Sequence, residues 1–320
     1  MGEVPLRLAD VTDAADRIAG VAHRTPVVSS RTLDSLVDGS LVLKCENWQR
    51  TGSFKFRGAY NLLAQMPDQE RRRGVCTVSS GNHGQAVARA AAELGVPAVV
   101  CMPVDAPATK VEATRGYGAE VVFFDRGEIS PFDAGEALRN ERGLPFVSSH
   151  DDARIAAGAG TAALELLAES GPLDVLVAPI GGGGGMAGYA TVAKAMAPTT
   201  VVVGAEPATS QLAARSLAAG ARVRVDRFET IADGQRLPIL GAFTFEVLRA
   251  HVDYVVPVAD DEIVAAMRLL FERLKLVAEP SGAIALAAIL SGRVDVVGRR
   301  VGVVVSGGNI GVDRFRDLVH

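Results

Sequence analysis

The 320-residue chain has only three cysteines, Cys45, Cys76 and Cys101, at spacings that match neither a zinc site nor a redox pair. Each lies in or beside an apolar, strand-like run, so the expectation is buried reduced thiols in a reducing cytoplasm. No apolar run approaches the ~18 residues of a membrane span, and the acidic N-terminus lacks the basic and apolar regions of a secretory signal. The mature protein is therefore expected to be the whole chain. Neither sign of charge forms a long block and the formal net charge is -4, which argues against nucleic acid or an anionic membrane as the main partner. Low-complexity linkers and fixed-period repeats are also missing.

What is present is a soluble, globular composition, 48% hydrophobic and 22% charged. The length suits one large or two medium domains. A helical pattern over Val11–Ile18 is broken at His23-Arg24-Thr25-Pro26, and Leu41–Cys45 reads as a short buried strand. From Arg71 the text alternates short apolar strands (Val75–Val78, Ala98–Met102, Val121–Phe124, Phe146-Val147) with alanine-rich helices (His83–Leu94, Ala108–Tyr117, Ala134–Arg142). The second half repeats this with strands Leu173–Ala178, Val201–Ala205, Tyr254–Val258 and Val301–Val305, and with helices Thr161–Leu167, Gly188–Met196, Asp260–Leu274 and Ala283–Leu290. Such alternation predicts an α/β fold of mostly parallel open sheets flanked by helices. The expected division is a small domain of residues 71–148 and a large one built from 1–70 and 149–320. A ligand cleft would lie beyond the carboxyl ends of the strands.

Four loops follow predicted strands and carry chemistry. In Thr51-Gly52-Ser53-Phe54-Lys55-Phe56-Arg57-Gly58 a lysine sits among small and aromatic residues, where desolvation would favour the neutral, nucleophilic amine; a solvated lysine opening the helix from about Phe54 to Met66 is the plainer alternative. Gly181–Gly185 follows a strand and precedes a helix, so converging backbone N–H groups and the helix terminus suit a phosphate; the alternative is a flexible turn, which has no reason to bear the entropy of five glycines. The run is not a Walker loop, and Met186 stands where the dinucleotide fingerprint needs its third glycine. Ser79-Ser80-Gly81-Asn82-His83-Gly84 offers hydroxyls, an amide and an imidazole, without the Gly-x-Ser-x-Gly elbow or local acid of a serine hydrolase. Ser306-Gly307-Gly308-Asn309 ends the last strand in the same manner, and either of these two loops could simply be a capped helix start.

Together these four motifs, in this order over about Arg24 to Asn309, resemble the fold-type II pyridoxal phosphate enzymes, most closely the serine/threonine dehydratases and serine racemases. Glu206-Pro207, Thr230-Ile231-Ala232-Asp233-Gly234 and Glu279-Pro280-Ser281-Gly282-Ala283 look like further signatures of that group. The resemblance implies a tryptophan-synthase-β-like architecture and pyridoxal 5'-phosphate held by Lys55, which would then take the substrate Cα proton. By the same resemblance Phe54 borders the ring, Asn82 meets its 3-oxygen, Gly181, Gly182, Gly183 and Gly184 hold the phosphate, and Ser306 faces the pyridine nitrogen. Ser79, Ser80, Gly81, Asn82 and His83 would hold the substrate, with Ser80 on the ring face opposite the lysine. The implied reaction is loss of water from a 3-hydroxy amino acid, serine- or threonine-like or bulkier, to give a 2-oxo acid and ammonia; the alternative is amino-acid racemisation. A homodimer is implied by the group's habit.

Departures from the group's pattern carry their own expectations. Ser148-Ser149-His150-Asp151-Asp152 stands where many relatives have His-Pro before a large residue, and Gly158-Ala159-Gly160-Thr161 replaces Gly-Gln-Gly-Thr, so altered space near the substrate and a preference other than plain serine or threonine are expected. Gly185, in place of a leucine or methionine, suggests a looser phosphate loop. At the group's cation site Glu206 and Ser210 are matched but Leu212 replaces the second acid, so no metal site and no strong magnesium or calcium dependence are expected.

Overall fold

The computed structural model describes residues 4–106 and 108–320. Among the described residues nine strands form two sheets: β1 (Val27–Ser29), β2 (Ser40–Cys45), β3 (Val75–Val78), β4 (Ala98–Pro103), β5 (Glu120–Phe124), β6 (Val175–Pro179), β7 (Val201–Pro207), β8 (Tyr254–Val258) and β9 (Arg300–Val305). The larger sheet has the order β1-β2-β9-β6-β7-β8 and is parallel except for β1, while β3-β4-β5 make a separate parallel sheet. Parallel strands covered by helices on both faces bury every side chain, which is why β6 and β9 read as unbroken runs such as Val301–Val305. Two apolar clusters occupy the two faces of the large sheet, and a third joins β3 and β4 to Phe56, Ala59, Leu62 and Leu63 of the helix Lys55–Ala64.

That lysine helix crosses the long helix Ala153–Ser170 almost backbone to backbone. A β-carbon on Gly58 would lie 2.6 Å from the Ile155 carbonyl oxygen, and one on Gly158 2.7 Å from the Gly58 Cα. Gly160 similarly meets Gly188 of the helix Gly184–Met196. Gly158 and Gly160 are thus spent on helix crossings, and Ala159 is buried in the core beside them. The expectation that this segment opens space near the substrate is corrected on that ground.

Other boundaries also differ from the pattern reading. Phe146-Val147 forms only an isolated bridge, Cys76 to Phe146, and the Val147 carbonyl is engaged by the Thr77 hydroxyl and the His83 ring instead of a further strand. The long helix starts at Ala153, where Asp152 accepts from the Arg154 N–H, rather than at Thr161. Strand β1 and the helices Arg31–Val37, Asp68–Arg73, Leu212–Ala219, Ala242–His251 and Val312–Val319 complete the chain. All three cysteines are buried and unpaired, with burial pushing the Cys45 thiol up to about 12 and Cys76 to about 11. Among the described residues no helix is long and apolar enough to cross a membrane.

Candidate active site

The four loops picked out by their residues all leave the carboxyl ends of parallel strands, after β2, β3, β6 and β9, where open α/β sheets present their ligand sites. Two of them are stitched together. Ser53 bridges Gly307, the Phe54 N–H donates to the Ser306 carbonyl at 3.1 Å, and the Gly308 N–H donates to the Gly52 carbonyl at 2.9 Å. Lys55 therefore begins its helix from a fixed platform.

The Lys55 ammonium is reachable from the cleft yet hemmed in by protein. Its Nζ donates to the Ser149 carbonyl at 2.7 Å and lies 5.1 Å from the centroid of the Phe54 ring. Burial pushes its pKa down from 10.5 to about 8, without a carboxylate partner to restore the charged form. The neutral amine is correspondingly accessible. Two imidazoles share this environment: burial, with a smaller contribution from Lys55, lowers His83 to about 3 and His150 to about 4. Both are neutral rings at physiological pH.

Why the lysine helix tolerates its position follows from its underside. Arg57 forks onto Glu46, with Nε–Oε2 at 2.7 Å and Nη2–Oε1 at 2.8 Å, and onto Glu165, with Nη1–Oε1 at 2.7 Å and Nη2–Oε2 at 2.8 Å. Lys44 closes the set, donating to Glu165 at 2.5 Å and to the Thr25 carbonyl at 2.6 Å. Two cations and two carboxylates cancel, which is how the fully buried Arg57 and Lys44 are tolerated. The network ties the lysine helix to β2 and to the long helix. Sequence reading passed over it because its members stand up to 121 residues apart.

The glycine run divides between loop and helix. Gly183 has φ 99° and caps the helix Gly184–Met196, whose first-turn N–H groups have no intrahelical acceptor. Each glycine is walled by protein: an added β-carbon would lie 2.8 Å from the Gly234 carbonyl at Gly181, 2.3 Å from the His150 ring at Gly182, and 2.8 Å from the His150 carbonyl at Gly184. This is a cradle that any side chain would fill, and its free donors at a helix N-terminus fit a phosphate. Gly185 belongs to the first helical turn, where a β-carbon would lie 3.0 Å from the Phe54 ring. The expected looseness is corrected: the missing side chain lets Phe54 pack there, edge-on to Tyr189.

Following β3, Ser79–Gly81 lead into the helix Asn82–Leu94, so its N-terminus faces the cleft. The Ser79 Oγ accepts from the Gly81 N–H at 3.2 Å, and the half-buried Ser80 hydroxyl makes no hydrogen bond among the described residues. His83 turns its Nε2 to the Val147 carbonyl at 3.1 Å, while its Nδ1 is buried without a hydrogen-bond partner among the described residues. Asn82 donates from Nδ2 to Glu279 Oε1 at 2.5 Å. Glu279 is 2% exposed, and burial pushes its carboxyl up to about 8, with Asp233 adding to the effect and Asn82 and Lys110 opposing it. The Glu279 signature was visible in the sequence; its contact with Asn82, 197 residues away, was not. Ser306 is buried and donates to the Ser281 carbonyl at 3.1 Å. Glu206 accepts from the N–H groups of Ala213 and Ala214 at 2.6 and 2.9 Å, capping the helix Leu212–Ala219. Among the described residues no group of three or more His, Cys, Asp or Glu could hold a metal ion.

A lysine amine, a glycine cradle at a helix N-terminus and a neutral hydroxyl at the end of β9, gathered at the carboxyl edge of an α/β sheet, suit an enzyme whose cofactor carries a carbonyl and a phosphate. Residues 18–307 match the model of the pyridoxal-phosphate dependent enzyme family. The chain is 44% identical over 310 residues to the L-threo-3-hydroxyaspartate ammonia-lyase of a Pseudomonas species, covering 97% of each chain, and 41% identical to that of Saccharomyces cerevisiae, covering 97% of this chain and 95% of the other. Its fold superposes on the structure of maize serine racemase with a TM-score of 0.93 at 38% identity, covering 98% of this chain and 96% of that one. The chain belongs to the pyridoxal-phosphate dependent enzyme family. Its fold is the α/β, tryptophan-synthase-β-like one and its cofactor is pyridoxal 5'-phosphate.

Proposed function

We propose that this enzyme is an ammonia-lyase that removes water from a 3-hydroxy amino acid, with threo-3-hydroxyaspartate its preferred substrate, giving a 2-oxo acid and ammonia. The observation that carries the reading is the Lys55 amine, shifted towards its neutral form and hydrogen-bonded to the Ser149 carbonyl, next to the His150 that walls the glycine cradle. The substrate preference is supported by the two hydroxyaspartate ammonia-lyases, which match over almost their whole lengths, and by Ser148-Ser149 where many relatives have His-Pro.

The bound cofactor supplies an electron sink for charge developing at the substrate Cα. The protein does the rest. Lys55, as a free amine, removes the Cα proton; its Ser149 carbonyl partner orients the nitrogen lone pair. The N–H groups at the start of the helix Asn82–Leu94 receive the substrate carboxylate. Gly181–Gly184 would hold the phosphate, Phe54 would border the ring and Asn82 would meet its 3-oxygen. Ser306, a neutral hydroxyl, would face the ring nitrogen, a partner suited to elimination rather than transamination. Racemisation is the second reading, favoured by the Ser80 hydroxyl, which is free of protein partners and available for proton transfer on the opposite face. We also take residues 71–148 as a small domain beside the 1–70 and 149–320 unit, and a cytoplasmic homodimer as the working form.

Steady-state assays on serine, threonine, threo-3-hydroxyaspartate and 3-phenylserine, recording ammonia, 2-oxo acid and product stereochemistry, test this. The highest kcat/KM for hydroxyaspartate, with ammonia released, is expected. A clear preference for serine, or D-amino acid as the main product, would contradict it.

A further inference from the structure

Asn309 ends the Ser306-Gly307-Gly308-Asn309 motif, beside the lysine loop. Its Nδ2 donates to the Thr51 carbonyl at 2.6 Å and to Asn82 Oδ1 at 2.8 Å, while Asn82 Nδ2 donates to Glu279 Oε1 at 2.5 Å. A backbone carbonyl can only accept. The Asn309 atom facing Thr51 is therefore nitrogen, and its two hydrogens are both used, one on Thr51 and one on Asn82. Asn82 must answer with its oxygen. Its own nitrogen gives one hydrogen to Glu279 and keeps the second for whatever occupies the cleft.

The order of donors and acceptors is thus dictated by one main-chain carbonyl, and the backbone around it is shaped for that purpose. Thr51 and Gly52 both lie in the left-handed region, with φ of 58° and 71°. For Thr51 this conformation is strained, whereas glycine takes it freely. At Gly52 a β-carbon would lie 2.2 Å from Asn309 Oδ1, so the absent side chain is what admits the asparagine. The Gly308-to-Gly52 hydrogen bond, 2.9 Å, pins the two loops together.

We propose that Asn309 is a positioning residue: the relay Thr51–Asn309–Asn82–Glu279 fixes the Asn82 amide so that an N–H, and never its C=O, faces the cofactor's ring oxygen. The inference rests on the reading that Asn82 meets that oxygen. A donor there stabilises the ionised oxygen and an acceptor destabilises it. Asn309 therefore sets the ionisation of the ring without touching it.

The test uses the full-length, cofactor-loaded enzyme and reads its absorbance spectrum against pH, together with the dissociation constant for pyridoxal phosphate. Asn82→Leu reports on the underlying reading and should move absorbance from the visible to the near-ultraviolet band. Asn309→Asp is nearly isosteric but cannot donate to Thr51 or Asn82; it should reproduce that change, shift the titration midpoint by about one pH unit and weaken cofactor binding roughly tenfold. Gly52→Ala, which crowds Asn309 out, gives the same readout should the aspartate variant not fold. If Asn82→Leu shifts the spectrum while Asn309→Asp and Gly52→Ala keep the parental one, the relay is overturned and the Asn82 reading stands. An unshifted Asn82→Leu spectrum overturns both.

Discussion

Lys55 is poised to act as an amine because burial disfavours its positive charge and no carboxylate beside it restores the balance. With a pKa of about 8, about one lysine in ten is neutral at pH 7, against about one in three thousand for an exposed side chain. Stopped-flow mixing of the cofactor-free protein with pyridoxal phosphate should show capture accelerating as pH rises and levelling off above about 8; a rate still climbing steeply beyond pH 10 would mean an ordinary lysine. Glu279 works in the opposite sense. Its folded pKa, about 8, lies above the usual carboxylate value, so the folded state keeps a proton that the unfolded chain releases. Its contribution to stability is full below the ordinary carboxylate range and fades as pH rises through about 8. Comparing melting temperatures of the parent and Glu279→Gln should show the variant losing less stability between pH 5 and 8, and parallel curves would refute the buried proton. Lysine was legible in the sequence because its neighbours in the chain form a motif. The chemistry of Glu279 comes from Asn82, Asp233 and Lys110, which only the fold brings near it.

At the scale of elements, the lysine helix is held from below by charge and alongside by glycine. Breaking a buried charge pair leaves its partner uncompensated, so Glu46→Ala should cost about 3–5 kcal/mol in urea unfolding. Arg57→Lys should fall in a similar range, since an ammonium cannot fork onto two carboxylates at once. A loss below roughly 1 kcal/mol in both would show the network to be dispensable. Gly158→Ala should push the lysine helix off the long helix, and a loss of about 1–3 kcal/mol with weakened cofactor retention is the expected result in melts and dialysis. The strands of the parallel sheets could be read directly from valine runs such as Val301–Val305. Helix limits could not: Ala153–Ser170 is buried for most of its length, so it shows no polar face by which a period could be recognised. Its alanines and glycines record close crossings, which are visible only once the partner helices are in place.

For the whole molecule, the loops at the carboxyl edges of the sheets bring together segments spread from Thr51 to Asn309. That spread explains what was readable. Motif order survives in a linear text, so the fold class and the cofactor could be reached from residues alone. Substrate choice depends on the shape between loops, where Ser148–His150 approach Lys55 and Gly182, and no spacing rule encodes it. The claim on which all these roles depend is the covalent attachment of the cofactor to one amine. Borohydride reduction of the loaded enzyme followed by peptide mass spectrometry measures it directly. The account predicts a single phosphopyridoxyl adduct on the peptide containing Lys55, absent from Lys55→Ala; an adduct on Lys44, Lys110 or any other lysine, or no adduct at all, would contradict it.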